Sequence, residues 1–228
     1  MNLLCWDTCG ETISITLVKE NRFVLEKKKE RSQEKGPSSF LLPFLVQACK
    51  EANLSFREID CFGVTQGPGS LTGIKLGLSA AYGLSCAFGK PVYGKTLFEL
   101  WKKPFQKHFS EDFFCLLVDT YGSTFATQLY GPGGCSLKPP GLHTFSSLET
   151  FFIENDLPLK EVLIGGIQMN PRKKPVGARL NFVEGSLLEI SSSRLLAEKI
   201  LSSPLLPDCA PVEPFYLYPP AVKFPQNS

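Results

Sequence analysis

Apolar and polar positions along the chain change period several times, and each change predicts an element. Leu3-Leu4-Cys5-Trp6 is a continuous apolar run closed by Asp7, as in a buried strand. Thr12 to Val18 alternates polar and apolar, the pattern of a half-buried strand, and Arg22 to Lys29 predicts a third strand beyond a turn at Glu20-Asn21. From Phe40 the period lengthens. Phe40, Leu41, Leu42, Phe44, Leu45, Val46, Ala48, Cys49 and Ala52 predict a helix that is apolar on more than one face. Ser38 or Ser39 can cap it, and Pro43 is tolerable near its start. So wide an apolar surface serves the core, a partner, or both. Ile59 to Thr65 predicts a strand, a glycine-rich stretch follows, and a helix runs to about Phe88. Lys90-Pro91 opens a short strand, Val92 to Gly94; Thr96 caps a helix to about Lys103, and Pro104 marks a boundary.

The second half repeats the beginning. Leu4-Cys5-Trp6-Asp7-Thr8-Cys9-Gly10-Glu11-Thr12 has a partner in Leu116-Leu117-Val118-Asp119-Thr120-Tyr121-Gly122-Ser123-Thr124 at a constant offset, and Leu17 falls on Leu129. Phe113 to Asp119 and Thr124 to Tyr130 then read as strands, Ser146 or Ser147 caps a helix to Asn155, and Glu161 to Ile164 is a strand before Gly165-Gly166. Gln168 to Leu187 shows no clean period, Ser193 to Leu201 is helix-like, and the proline-rich tail from Pro204 reads as an extended segment laid over the surface. Three strands followed by helix, strand, helix, strand and helix is no alternating dinucleotide-binding order. It predicts an α/β fold of the actin, Hsp70 and sugar-kinase type, ribonuclease-H-like, with two related lobes. The lobes would be residues 1–105 and a reduced 106–228.

The stretch Gly67-Pro68-Gly69-Ser70-Leu71-Thr72-Gly73-Ile74-Lys75-Leu76-Gly77 joins a strand to a helix, where free backbone N–H groups can hold an anion. Its spacing fits neither Walker A, since Ile74 follows Gly73, nor G-x-G-x-x-G, since Thr72 stands where a glycine is needed. Asp7, Thr8, Gly67, Ser70 and Asp119 are candidate vestigial phosphate or nucleotide contacts; each acid equally suits capping its own turn. Gly69, Gly73 and Gly77 form one bare stripe on a helix. Each interior glycine costs about 1 kcal/mol relative to Ala, so something must come close to the stripe. That neighbour is a ligand, the chain's own core, or another chain.

Bulk properties narrow the chemistry. A net charge of +2 over 228 residues provides no general field for nucleic acid. The eight cysteines form no Cys-x-x-Cys pair, which fits reduced, buried thiols and a cytoplasmic protein. His108 and His143, the two histidines, stand in no metal-ligand spacing, so no metal site or catalytic residue is expected. No signal peptide or membrane-spanning run is expected.

The glycine stretch resembles the signature of the bacterial TsaB (YeaZ) family, as do Asp7-Thr8, Phe40-Leu41-Leu42-Pro43, Val118-Asp119 with Tyr130, Gly165-Gly166 and Pro214-Phe215-Tyr216-Leu217. It departs at Thr120-Tyr121, where the family usually has alanine and arginine, and at Tyr218, where it has arginine. The resemblance implies a non-catalytic paralogue of TsaD. With TsaD and the ATPase TsaE it would serve the formation of N6-threonylcarbamoyladenosine on tRNA. It implies a heterodimer with TsaD, a homodimer through related surfaces, TsaE and tRNA met only through the complex, no membrane, and no intrinsic cofactor beyond ATP or ADP at the complex interface. The expected partner interface is Leu41, Phe44, Leu45, Gly69, Gly73, Gly77 and Ala80. The competing reading is an enzyme: a small ATP-dependent phosphotransferase or a peptidase-like member of the actin-like superfamily.

Overall fold

The structure, a computed structural model, describes residues 1–30, 40–109, 113–120, 123–154, 163–167, 181–184, 190–203 and 211–217. Three strands open the chain: β1 (Leu3–Asp7), β2 (Thr12–Lys19) and β3 (Arg22–Glu30). Helix α1 (Leu41–Glu51), β4 (Cys61–Thr65), α2 (Leu71–Phe88), β5 (Val92–Lys95) and α3 (Leu97–Phe109) follow. The second half has β6 (Phe114–Asp119), β7 (Phe125–Tyr130), β8 (Gly141–His143), α4 (Phe145–Glu154), β9 (Leu163–Ile167), β10 (Asn181–Glu184) and α5 (Ser192–Leu201).

The first sheet runs β3-β2-β1-β4-β5 and the second β8-β7-β6-β9-β10. Both have one topology: a three-stranded antiparallel meander whose first strand pairs parallel with the fourth, which pairs parallel with the fifth. Hairpins suffice for the antiparallel pairs, while the parallel ones need crossovers. This is the predicted actin-like α/β architecture, and the repeat around Asp7 and Asp119 marks the first strand of each sheet.

The repeat carries topology but not phase. Leu4 opposes Leu17, whereas Leu116, its partner by offset, opposes Gln128. The second hairpin is therefore one residue tighter. The faces also differ. In β1, Trp6 reaches the helix that follows β4, donating from Nε1 to the Gly77 carbonyl at 3.2 Å. In β6, Cys115 and Leu117 cluster with Leu148 and Phe152 of α4. Counted back from the aspartate, the crossover helices see the first residue of β1 but the second of β6. Strand side chains alternate, so a one-residue change of phase turns the two aspartates to opposite sides of their sheets.

Helices α1 and α2 share one face of the first sheet. Lys27 lies 6.0 Å from the Phe44 ring of α1 and opposes Ile15, which opposes Trp6, the residue that reaches α2. On the other face, Cys5 meets α5: a Cβ at Gly63 would stand 2.5 Å from Cys5 Sγ and 3.2 Å from Ile200 Cδ1. Thr16 and Ser193 hydroxyls bond at 2.9 Å, and Trp101 Nε1 of α3 donates to Ser192 Oγ at 2.9 Å. The last helix thus returns to the first sheet, and one core cluster runs from Leu3 through Trp101 to Ile167 and Ile200.

Several boundaries differ from expectation. Helix α3 does not stop at Lys103; it continues through Pro104 to Phe109. Trp101 and Phe105, buried on either side of the proline, supply packing that outweighs its missing N–H. Helix α4 begins at Phe145, behind Thr144 rather than Ser146 or Ser147. Ser147 N–H donates to Thr144 Oγ1 at 3.1 Å and Thr144 N–H to Ser147 Oγ at 2.9 Å, a reciprocal cap. Strand β9 lies at Leu163–Ile167, and β10 emerges from the aperiodic stretch. The expected caps Ser38 and Ser39 fall outside the described residues, as does the repeat's Tyr121-Gly122. Cys86 and Cys135 are exposed, whereas Cys5, Cys9, Cys49, Cys61 and Cys115 are buried, and burial pushes the Cys115 thiol up to about 12.

His143 ends β8, with Nδ1 2.8 Å from Thr127 Oγ1 and its ring 4.9 Å from that of Phe151. Burial holds its pKa below the usual 6.5. The unfolded chain therefore takes up this proton before the folded one. The associated stability is full above pH 6.5 and is lost as pH falls toward the depressed folded value. Replacing His143→Gln is expected to flatten that part of the acid limb, read from denaturant midpoints between pH 7 and pH 5.

Candidate functional site

The glycine stretch is where the sequence concentrates its unusual residues. Strand β4 ends at Thr65, and the turn through Gly67 and Gly69 uses φ of +111° and +148°, values L side chains rarely adopt. A Cβ at Gly69 would sit 2.5 Å from the Cys9 carbonyl oxygen, which accepts the Ser70 N–H at 2.7 Å. Ser70 Oγ in turn accepts the Gly73 N–H at 3.3 Å and caps α2. The turn is thus folded onto the hairpin after β1.

The stripe continues inward. Thr8 Oγ1 donates to the Gly73 carbonyl at 2.7 Å, and Trp6 Nε1 donates to the Gly77 carbonyl. A Cβ on Gly77 would run into Thr8 Oγ1 and approach Val64 Cγ2 at 3.3 Å. Side chains reach helix carbonyls through the flank only where the flank is bare. Two buried hydrogen bonds at about 1 kcal/mol each offset much of the glycine cost. The expectation that Gly69, Gly73 and Gly77 receive a partner helix is therefore corrected: they receive β1 and its turn.

The first helix needs the same correction. Leu41 and Leu45 are fully buried and Phe44 nearly so, all within this chain's own core, and Ala80 is half-buried against it. Outward, α1 presents Leu42 and Val46, 48% and 37% exposed and one turn apart, beside the exposed Pro43, Gln47 and Lys50. On α2 the outward residues include Leu71, 41% exposed, and Tyr82, 39% exposed, with the small residues Ser79, Gly83 and Ala87 at four-residue spacing. Nothing lies within 4 Å of a Cβ placed on Gly83. The outward small residues thus sit on the face opposite the glycine stripe. Sequence alone could have flagged Gly83, whose cost no nearby motif explains. Lys27 and Lys29 of β3 border the face, Lys27 bonding Glu51 Oε1 at 2.6 Å and Lys29 lying 5.4 Å from the Phe40 ring. The Lys27 ammonium holds the Glu51 carboxyl below its ordinary range.

The candidate phosphate residues do not converge on an open site. Asp7 is fully buried, and its Oδ1 accepts the Cys9 N–H at 2.9 Å and the Thr65 hydroxyl at 2.6 Å. Cys9 Sγ lies 3.2 Å from Thr65 Oγ1, so this one carboxylate oxygen organises the ends of β1 and β4 and the turn between β1 and β2. Thr8 is fully buried, the Gly67 carbonyl accepts the Leu97 N–H at 2.7 Å, and Asp119 is half-buried on the second sheet. Asp7, Thr8 and the Gly67 carbonyl do not fit a nucleotide phosphate in this arrangement, because their polar atoms are turned inward and used by the fold. Replacing Asp7→Ala is expected to cost about 2–3 kcal/mol by removing the buried acceptor of the Cys9 N–H and the Thr65 hydroxyl, measured by denaturant unfolding. Among the described residues, no group of three or more His, Cys, Asp or Glu side chains could hold a metal ion. Helix α2 has the length and mean hydropathy, 1.2, of a membrane span, but Gly73, Ile74, Gly77, Leu78, Ala81 and Leu84 are buried on one side of it, as in a core helix.

Comparison with known proteins adds to this geometry. The model of the family "TsaD: tRNA N6-adenosine threonylcarbamoyltransferase" matches residues 34–118. The "tRNA threonylcarbamoyladenosine biosynthesis protein TsaB" of Buchnera aphidicola is 30% identical over 89 residues, 39% of each chain. The "tRNA N6-adenosine threonylcarbamoyltransferase" of Onion yellows phytoplasma is 44% identical over 55 residues, 24% of each. These matches span well under half the length of the curated relatives. YeaZ from Pseudomonas aeruginosa shares the fold, with a TM-score of 0.62 and 16% identity over 95% of this chain and 99% of that one. The chain therefore resembles the TsaD family in sequence over residues 34–118 and a TsaB protein over 39% of its length, and it has the YeaZ fold over almost its whole length.

Proposed function

We propose that the chain is a non-catalytic subunit serving the formation of N6-threonylcarbamoyladenosine on tRNA, and that it presents the shared face of α1 and α2 to a TsaD-type catalytic partner. The observation that carries this reading is that two helices on one side of the first sheet turn apolar or small residues outward, Leu42 and Val46 on α1 and Leu71, Tyr82 and the open Gly83 on α2. Apolar side chains at that exposure cost solvent contact in the isolated chain, at roughly 25 cal/mol per Å², and a partner helix would relieve it. Small residues beside them let two helix axes approach. A second copy of the chain could use the same face, so homodimer and heterodimer would compete for it. The turn over Asp7 and Thr8, closed by its own hydrogen bonds, leaves the chemistry to the partner. Any ATP or ADP, TsaE and tRNA would be met in the assembled complex.

The test is co-purification with TsaD from the same cell, followed by assay of threonylcarbamoyladenosine on tRNA with and without this chain. Dependence on both proteins supports the reading. Turnover by the isolated chain, or tight binding of Mg-ATP to it in calorimetry, would replace the scaffold with a phosphotransferase.

A further inference from the structure

The tail segment Pro211–Leu217 lies on the first lobe, and its contacts converge on the turn before α2. Phe215 N–H donates to the Gln66 carbonyl at 2.8 Å, and Gln66 Nε2 donates to the Glu213 carbonyl at 2.6 Å. The Tyr82 hydroxyl accepts the Val212 N–H at 2.6 Å and donates to the Val212 carbonyl at 3.0 Å. The Phe215 ring meets that of Phe98 edge-on, with centroids 6.3 Å apart. Two glycines make room for the segment. A Cβ on Gly94 of β5 would run into Val212 Cγ1, and one on Gly67 would stand 2.9 Å from the Phe215 carbonyl oxygen.

The segment is held at two points. At Phe215 the backbone is bonded to Gln66 and the ring is packed. At Val212, which is buried beside Gly94, Tyr82 supplies both hydrogen bonds, and beside it lies a partly open pocket of about 390 Å³ lined by Tyr82, Ser85, Lys90, Pro91, Val92 and Pro211. Pro211, Glu213 and Pro214 are exposed, so few contacts besides these hold the segment down.

We infer that Pro211–Leu217 is a releasable strap: docked, it holds the glycine turn and the middle of α2 in one arrangement, and it lifts when its bonds to Tyr82 and Gln66 let go. The turn has other supports, since the Gln66 N–H donates to Lys95 O and the Leu97 N–H to Gly67 O. Releasing the strap therefore loosens residues 66–70 without unfolding the lobe. Local openings of this kind are read by amide exchange.

The test uses full-length protein and hydrogen exchange followed by mass spectrometry or NMR. Replacing Tyr82→Phe keeps the ring and removes both bonds to Val212. It is expected to speed exchange about tenfold at Val212 and about fivefold over 66–70, with α5 unchanged. Replacing Gly94→Ala pushes Val212 away, also bringing the new Cβ 3.0 Å from Gln66 Cγ and Cδ, and is expected to do the same, while the double variant Gly94→Ala, Val212→Ala removes the clash at position 212 and restores protection there. If Tyr82→Phe exposes Val212 but leaves 66–70 as protected as before, the tail is a passenger and the inference fails. Should Gly94→Ala not fold, the Tyr82→Phe result decides alone.

Discussion

Gly77→Leu is expected to destabilise the folded chain by about 3 kcal/mol or more, with a lowered denaturant midpoint in the absence of any partner. The first atom of the new side chain meets Thr8 Oγ1 and crowds Val64, in a region where Trp6 and Phe62 are fully buried. The helix cannot move outward to make room without breaking the bonds from Trp6 and Thr8 to its carbonyls. Both donors would then be buried and unpaired, each at about 1–3 kcal/mol. A stable monomer that has lost only partner binding would contradict this geometry and restore the stripe to the surface.

Gly83→Leu is expected to do the opposite. No atom stands within 4 Å of its Cβ position, so the free chain accommodates the side chain. Helix propensity favours Leu over Gly by roughly 0.8 kcal/mol, which raises the melting temperature by about 2–3 °C for a protein of this size. Binding to TsaD should nevertheless fall by about 100-fold, because a bulky group now stands where the proposed partner helix comes close. The double variant Leu42→Asp, Val46→Asp should weaken binding comparably while leaving the stability of the free chain within about 0.5 kcal/mol per site, since both positions are exposed. The measurements are thermal unfolding of each variant and titration of each with the partner. Unaltered affinity in both variants would remove the α1–α2 face from the proposal. These two outcomes together would separate folding from assembly by glycines six residues apart on one helix.

The first lobe was readable because its elements differ in period. The turn at Glu20-Asn21 and the apolar run of Ile59 to Thr65 each have one local interpretation, and the structure follows them; the alternation in Thr12 to Val18 placed strand β2 but not its burial, since Ser14 and Thr16 are buried too where α5 covers the second face. The repeat around Asp7 and Asp119 disclosed the second sheet's first strand for the same reason. Pro104 misled because a local rule about a missing N–H says nothing of Trp101 and Phe105 packing around it. Strand β10 was unreadable because its four residues, Asn181–Glu184, are too short to show a period.

The sequence by itself determined the α/β order, the two related hairpins, the strand–turn–helix at Gly67 to Gly77 and the resemblance to one family. Which side of each helix faces inward was decided only in the tertiary structure. Helix α2 is apolar or small on nearly every side, so periodicity cannot choose between Gly77 and Gly83. The choice is made by Trp6 and Thr8, which are 71 and 65 residues away from the carbonyls they reach. The same holds for Asp7, whose role is set by Thr65, 58 residues on, and for the tail, whose Val212 is held by Tyr82, 130 residues earlier. Local pattern specifies elements because neighbouring residues share a backbone conformation; faces and sites depend on partners brought together only when the chain has folded.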